Sequence, residues 1–153
     1  MASWAEVEVE APDLAARARA LLEAHTHLTM ATIRRDGSPR ISGIEINLRD
    51  GELYIGSMWK AVKALDLRRD PRVAIHSGST DPPEWEADAK LAGTAEEVTD
   101  PSRVREVNGR EAGRSHLFRI EIAELAIVGL NEARDKLGIE SWHEGRGITR
   151  RER

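Results

Sequence analysis

The sequence predicts an α+β, mainly β domain: an antiparallel sheet of roughly six or seven strands closed into a small barrel, with a few short helices. Three observations carry this expectation. Two Asp-Gly pairs, Asp36-Gly37 and Asp50-Gly51, separate short apolar runs, and Asp-Gly in that setting is a strong hairpin signal. Helical periodicity is confined to brief stretches between such runs. The 153 residues suit one domain with a sizeable core, and a sheet of this size buries a face only by closing or stacking.

The elements follow in order. APDLAARARALLEAH puts Leu14, Ala18, Leu21 and Leu22 on one helical face, with Pro12 in the first turn. LTMATIRRDGSPRISGIEINLRDGELYIGS then gives a meander with strands near 28–34, 39–48 and 52–57. SMWKAVKALDLRR reads as a short helix, stopped ahead of Pro71, and RVAIHS returns as a strand near 72–78. TDPPEWEAD is a loop and AKLAGTAEEVT a strand. DPSRVREVNGREAG is a third short helix, with Asp100 as N-cap and Pro101 at its first position. SHLFRIEIAELAIVGLN alternates as a strand, NEARDK turns, and LGIESWHEG is the last strand. Residues 1–153 are read as one domain, with 1–12 and 149–153 as flexible ends.

Composition narrows the function classes. Charged residues make up 33% and hydrophobic ones 40%, an ordinary globular balance. No apolar run approaches the ~20 residues of a membrane helix, and the N-terminus lacks the pattern of a secretory signal. Cysteine is absent, which removes disulfides and thiolate chemistry, so a cytoplasmic location is the default expectation. A net charge of -4 argues against a general nucleic-acid binder. The basic tail, with Arg146, Arg150, Arg151 and Arg153, reads first as a solvated end.

His25, His27, His76, His116 and His143 are scattered, with no HExxH pattern, so no metal site is expected. Nucleophile-elbow, Walker and GxGxxG motifs are also absent. The informative feature is the charge order in SMWKAVKALDLRR. A helix N-terminus favours anions, yet Lys60 and Lys63 precede the first carboxylate, Asp66. Two readings stand side by side. Either both lysines are solvated, at ~0.3–1 kcal/mol each, or they join Ser57 and the unpaired first-turn amides in an anion pocket. Arg40 and Ser42 alternate onto one side of their strand and can face the same pocket. Trp59, Trp85 and Trp142 are candidates for stacking on a planar ligand, with a core role as the plainer reading.

The run TMATIRRDGSPRISGIEINLRDGELYIGS, followed by KALDLRRDPRVAIHS, resembles the pyridoxamine 5'-phosphate oxidase-like proteins, the split β-barrel flavin and deazaflavin oxidoreductases. The resemblance spans roughly residues 13–148 and includes a closing Trp-x-x-Gly-x-Gly at 142–147. It implies a split barrel that forms a homodimer with FMN at the subunit interface. It further implies that the FMN phosphate meets a strand Arg, a hydroxyl residue and an Arg-Lys pair at a helix start. By position these contacts are Arg40, Ser42, Ser57 and Lys63. Val62 replaces the paired Arg, which leaves Lys60 to supply the lost charge. Asp88 falls where the oxidase has a Gln near the flavin ring, and Trp142 completes the cofactor set. The implied activity is an FMN-dependent oxidoreductase that transfers hydride to or from a small substrate. The cofactor does the chemistry, so no catalytic side chain is assigned. The alternatives are a deazaflavin-dependent reductase, whose anionic tail Arg146 and the terminal arginines would meet, and a non-catalytic flavin-binding carrier or sensor dimer. The oxidase's C-terminal substrate pattern is not recognisable, so no substrate is assigned.

Overall fold

One continuous stretch of chain closes the barrel. In the computed structural model, which describes residues 1–153, the strands are β1 (Leu28–Ile33), β2 (Pro39–Ile44), β3 (Ile46–Arg49), β4 (Glu52–Met58), β5 (Arg72–His76), β6 (Ala87–Glu97), β7 (Ser115–Leu130), β8 (Leu137–His143) and β9 (Gly147–Glu152). All pairings are antiparallel, and the main path runs β2-β1-β5-β6-β7-β4-β3. Its two ends, β2 and β3, are separated in the chain only by Glu45. The end of β2 therefore lies within ~7 Å of the start of β3, the reach of two residues. The single strand expected over 39–48 is corrected accordingly. At Glu45 the chain changes partners, from β1 to β4.

The Asp-Gly signals mark real turns. Asp50 and Gly51 have φ of 54° and 74° and form a two-residue loop between the paired Arg49 and Glu52, as a type I′ hairpin requires. In the first hairpin the Asp36 carboxylate accepts from the Ser38 amide at 2.9 Å and its hydroxyl at 2.6 Å.

The split in the barrel comes from a bulge. Register slips between Ala92 and Gly93, leaving Ala123 unpaired on β7. Before it β7 pairs with β4, and after it with β8. The bulge depends on glycine: a Cβ on Gly93 would lie 1.8 Å from the Glu121 carbonyl oxygen. The extra residue bends the strand, and β8 and β9 leave the barrel along the diverging half of β7.

Alternation builds two cores. Leu53 and Ile55 of β4 join Phe118, Ile120 and Ile122 of β7 in the main cluster. Tyr54 and Leu117, on the opposite face, pack with Val104 of α4 (Pro101–Asn108) in a second one. α4 starts as its sequence indicates, with Asp100 accepting from the Ser102 amide at 3.3 Å. The remaining helices are α1 (Trp4–Glu10), α2 (Pro12–Glu23) and α3 (Val62–Arg69). None is long and apolar enough to cross a membrane.

Both ends of the chain, expected to be flexible, carry structure. Ser3 and Glu6 cap α1 reciprocally, Trp4 and Val7 are buried, and Ala2 bridges Ile122. Residues 147–152 pair with β8 as β9. Trp4 and Val7, three residues apart, were the amphipathic signal available for α1.

α3 is seated by one buried carboxylate. Asp66 is 2% exposed and accepts from Thr32 Oγ1 at 2.8 Å, Arg40 Nε at 2.7 Å and Arg69 Nη2 at 3.1 Å. Burial alone would raise its pKa; the hydrogen bonds from Arg40, Thr32 and Arg69 outweigh burial and hold it below the ordinary value. A depressed folded-state pKa means that its stabilisation is complete above the normal carboxylate range. That stabilisation is lost as pH falls through the lowered value. Asp66→Asn is expected to cost about 2–3 kcal/mol at neutral pH, less than a fully buried pair because both arginines keep some access to water. Urea denaturation at a series of pH values checks this, and the gap between wild type and variant should shrink in acid.

Candidate functional site

A cavity of about 560 Å³ opens beside the seam where β2 gives way to β3. Gly43 to Asn47 form one wall, and Gly56, Ser57 and Met58 at the end of β4 form a second. Lys63 enters from α3, and Val107, Asn108 and Arg110 from the end of α4. Leu53, Ile55 and Ser57 fall on one face of β4 by alternation. Ser57 therefore continues the core face to the point where the core stops.

Of the residues expected to contact a cofactor, the structure brings two together here. Ser57 lines the cavity, its hydroxyl 3.3 Å from the Met58 carbonyl oxygen. Lys63 lines it as well and donates from Nζ to the Gly43 carbonyl at 3.0 Å. The other five lie elsewhere. Arg40 is drawn to Asp66, because a buried carboxylate demands a charged partner. Ser42 stands opposite Met30 in the β1–β2 ladder and is not in the cavity wall. Lys60 does not belong to the helix, which starts at Val62; it sits in the preceding turn with φ of 60°. The two lysines are thus not a helical i, i+3 pair. Asp88 lies on β6, its Oδ2 3.8 Å from His76 Nε2 and its buried Oδ1 without a partner. Trp142 is 0% exposed and donates from Nε1 to Glu10 at 2.9 Å; it is a core residue with no free face for stacking.

The start of α3 has an unusual electrical character within this molecule. α1 has a serine cap and Glu6, α2 has Asp13, and α4 has the Asp100 cap. α3 has neither a side-chain cap nor an acid in its first turn. The amides of Ala64 and Leu65 reach the Ala61 carbonyl, whereas those of Val62 and Lys63 have no partner. Two free amides, an ammonium and a hydroxyl make a donor set suited to a phosphate. Nearby, Arg110 adds a second cation, and the carboxylate of the wall residue Glu45 lies 3.5 Å from His27 Nε2.

Arg110, Asn108 and His116 escaped sequence reading. Asn108 Nδ2 donates to Ser115 Oγ at 3.1 Å and to the His116 carbonyl at 2.9 Å, tying the end of α4 to β7. His116 is 1% exposed, with Nδ1 2.6 Å from Glu97 and Nε2 accepting the Lys60 amide at 3.0 Å. Its place two residues before Phe118 and four before Ile120, on the inward face of a strand, was the signal for its burial. Hydrogen bonds from Arg68 hold the Glu97 carboxyl below its ordinary pKa against the opposing effect of burial, with His116 adding to them. No group of three or more His, Asp or Glu side chains is placed to hold a metal. The cavity wall is rich in hydrogen-bond donors, and Glu45 beside His27 is the acid–base pair within it.

The comparisons with known proteins agree with this architecture. The family model described as pyridoxamine 5'-phosphate oxidase matches residues 14–129. No curated protein matches significantly. Among solved structures, a conserved hypothetical protein of Mycobacterium tuberculosis is 25% identical with a TM-score of 0.60, over 70% of this chain and 79% of that one. A pyridoxamine 5'-phosphate oxidase-related, FMN-binding protein of Nostoc punctiforme is similar at TM-score 0.65 and 13% identity, over 96% of both chains. A heme-binding protein of Mycobacterium smegmatis is similar at TM-score 0.61 and 17% identity, over 92% of this chain and 88% of that one. At such identities the last two show the fold alone.

A pair of variants separates the scaffold of the cavity from its free donors. Asn108→Ala strands the His116 carbonyl and is expected to lose about 1–2 kcal/mol of stability. Arg110→Ala, at an exposed site, is expected to stay within ~0.5 kcal/mol of wild type. Urea denaturation of both reads the difference.

Proposed function

The chain belongs to the pyridoxamine 5'-phosphate oxidase family, and on that premise we propose that it is an FMN-dependent oxidoreductase whose cavity grips the cofactor phosphate at the start of α3. The observation that carries this reading is the uncapped, acid-free first turn of α3 with Lys63 beside it in the cavity wall. In this reading the ammonium of Lys63 and the amides of Val62 and Lys63 bind the phosphate, and the Ser57 hydroxyl donates to it. Arg110 supplies the cationic charge that the resemblance expects at position 62. When bound, the flavin ring would accept or give up the hydride. The chain's residues bind and orient, and no side chain needs to move a proton.

The site is proposed to work in a homodimer. Ile41 is 74% exposed, Met58 73% and Val62 53%, with Trp59 and Leu65 also exposed. These apolar side chains come from β2, the end of β4, the turn that follows it and α3. Large exposed apolar side chains such as these are candidates for a subunit contact. A deazaflavin coenzyme is the second reading, favoured by Arg105, Arg110 and Arg114 in an adjoining open depression, which suit a longer anionic tail.

Fluorescence titration with FMN and with the deazaflavin tests the cofactor, alongside a visible spectrum of the purified protein. Lys63→Ala is expected to weaken FMN binding by at least ~10-fold, as loss of a charged hydrogen bond does. Lys136→Ala, a turn substitution, should leave it unchanged. Equal effects of the two, or no binding of either cofactor, would defeat the proposal; tight binding without turnover would favour the carrier. Ile41→Asp should convert a dimer to a monomer in sedimentation, and a monomeric wild type would contradict the assembly.

A further inference from the structure

We propose that His116 is a positioning residue for the phosphate site: its Nε2 lone pair holds the Lys60 amide, and with it the turn that presents Ser57 and Lys63 to the cavity. The claim rests on the phosphate reading of that cavity and adds to it the device that sets its geometry.

The protonation of the ring follows from its partners. Glu97 receives two hydrogen bonds from Arg68, at 2.6 and 2.9 Å, and its carboxyl is held ionised. An ionised carboxylate can only accept, so the proton in the 2.6 Å contact sits on His116 Nδ1. A backbone amide can only donate, so Nε2, 3.0 Å from the Lys60 nitrogen, is the bare nitrogen. Each ring nitrogen faces a group with one possible role. The charged group in contact with the ring is Glu97 of β6, which Arg68 of α3 holds in turn; Lys60 meets the ring through its backbone amide.

The turn needs such a hold. Lys60 adopts φ of 60°, a left-handed conformation that is costly for a residue with a Cβ. It lies inside a tight reversal closed by the Ala61 amide on the Met58 carbonyl at 3.1 Å. That reversal joins β4 directly to α3. A change of backbone there would swing the first helical amides and Lys63 away from Ser57. Strain kept at such a position implies a surrounding structure that enforces it.

His116 is placed to do so. It pairs directly with Ser57 across the β4–β7 ladder, so the two side chains share a face. Trp59 stacks on its ring at 4.4 Å and 15°, closing off water. Its carbonyl accepts from Asn108, on the opposite cavity wall. One residue thus ties together the turn, the strand and the α4 wall.

Two variants separate the two ring nitrogens. In His116→Gln the side-chain carbonyl can still reach the Lys60 amide. In His116→Asn the shorter amide can face Glu97 but leaves Lys60 without an acceptor. In ligand-free, ¹⁵N-labelled wild type, ring-nitrogen spectra should show Nδ1 protonated and Nε2 bare, with a slowly exchanging Lys60 amide. Lys60 exchange should speed up at least ~10-fold in the Asn variant and much less in the Gln variant. FMN titration should give about 10-fold weaker binding for Asn and within ~3-fold of wild type for Gln. A protonated Nε2, a Lys60 amide equally protected in both variants, or equal FMN affinity of the two would overturn the proposal. Should the Asn variant fail to fold, the wild-type ring spectrum and Lys60 exchange in the Gln variant decide. Should wild type not bind FMN at all, the phosphate reading falls, while the same exchange data still decide whether His116 holds the turn.

Discussion

The Asp66 carboxylate fixes where α3 stands, and the candidate site depends on that placement. Its hydrogen bonds run to β1 through Thr32, to β2 through Arg40, and back to its own helix through Arg69. An ion this deeply buried is tolerable only with all its partners in place, so the helix has little freedom to slide. The charge order of SMWKAVKALDLRR then makes physical sense. The acid stands in mid-helix because it serves the barrel. Arg68 and Arg69 occupy the C-terminal turn, where the helix dipole favours cations. The N-terminal end is left with free amides and Lys63, a combination that an anion from outside would complete.

Barrel closure supplies the space for such an anion. Because β2 and β3 are parts of one segment, the seam at Glu45 brings the ends of β2, β3 and β4 to one place. The Ala92/Gly93 bulge releases β8 from the barrel. α4, seated over Tyr54 and Leu117, brings Asn108 and Arg110 to the remaining side. The cavity is therefore a consequence of topology, and its chemistry is set by three or four side chains at its rim.

Local signals were legible in the sequence, and long-range ones were not. Asp50-Gly51 and the Asp100-Pro101 start of α4 depend on a few neighbouring residues, so composition alone located them. The break at Glu45 depends on two partner strands that are distant in sequence, and nothing local marks it. Arg40 looked available because its buried claimant, Asp66, lies 26 residues away. Lys60 looked helical because a left-handed lysine is rare, and only its tertiary partner, His116, accounts for it. His116 was one of five scattered histidines in the sequence, because its burial comes from Trp59 and a neighbouring strand. Trp142 matched a family motif, yet its indole meets Glu10 in a segment read as a flexible end. Charge order and resemblance both pointed to Ser57 and Lys63, the two expected residues that the fold brings together, whereas Arg40, Ser42, Asp88 and Trp142, which the resemblance also named, lie elsewhere.

A cavity that recognises phosphate must tell two flavins apart. Riboflavin has the same ring system as FMN and lacks only that group, so comparing the two isolates it. Titration of both into the wild-type protein should show FMN binding at least ~100-fold more tightly, the effect of two or more charge-assisted hydrogen bonds. The preference should shrink markedly in Lys63→Ala. Equal affinity for the two flavins, or a preference that survives loss of Lys63, would show that the start of α3 does not bind the phosphate.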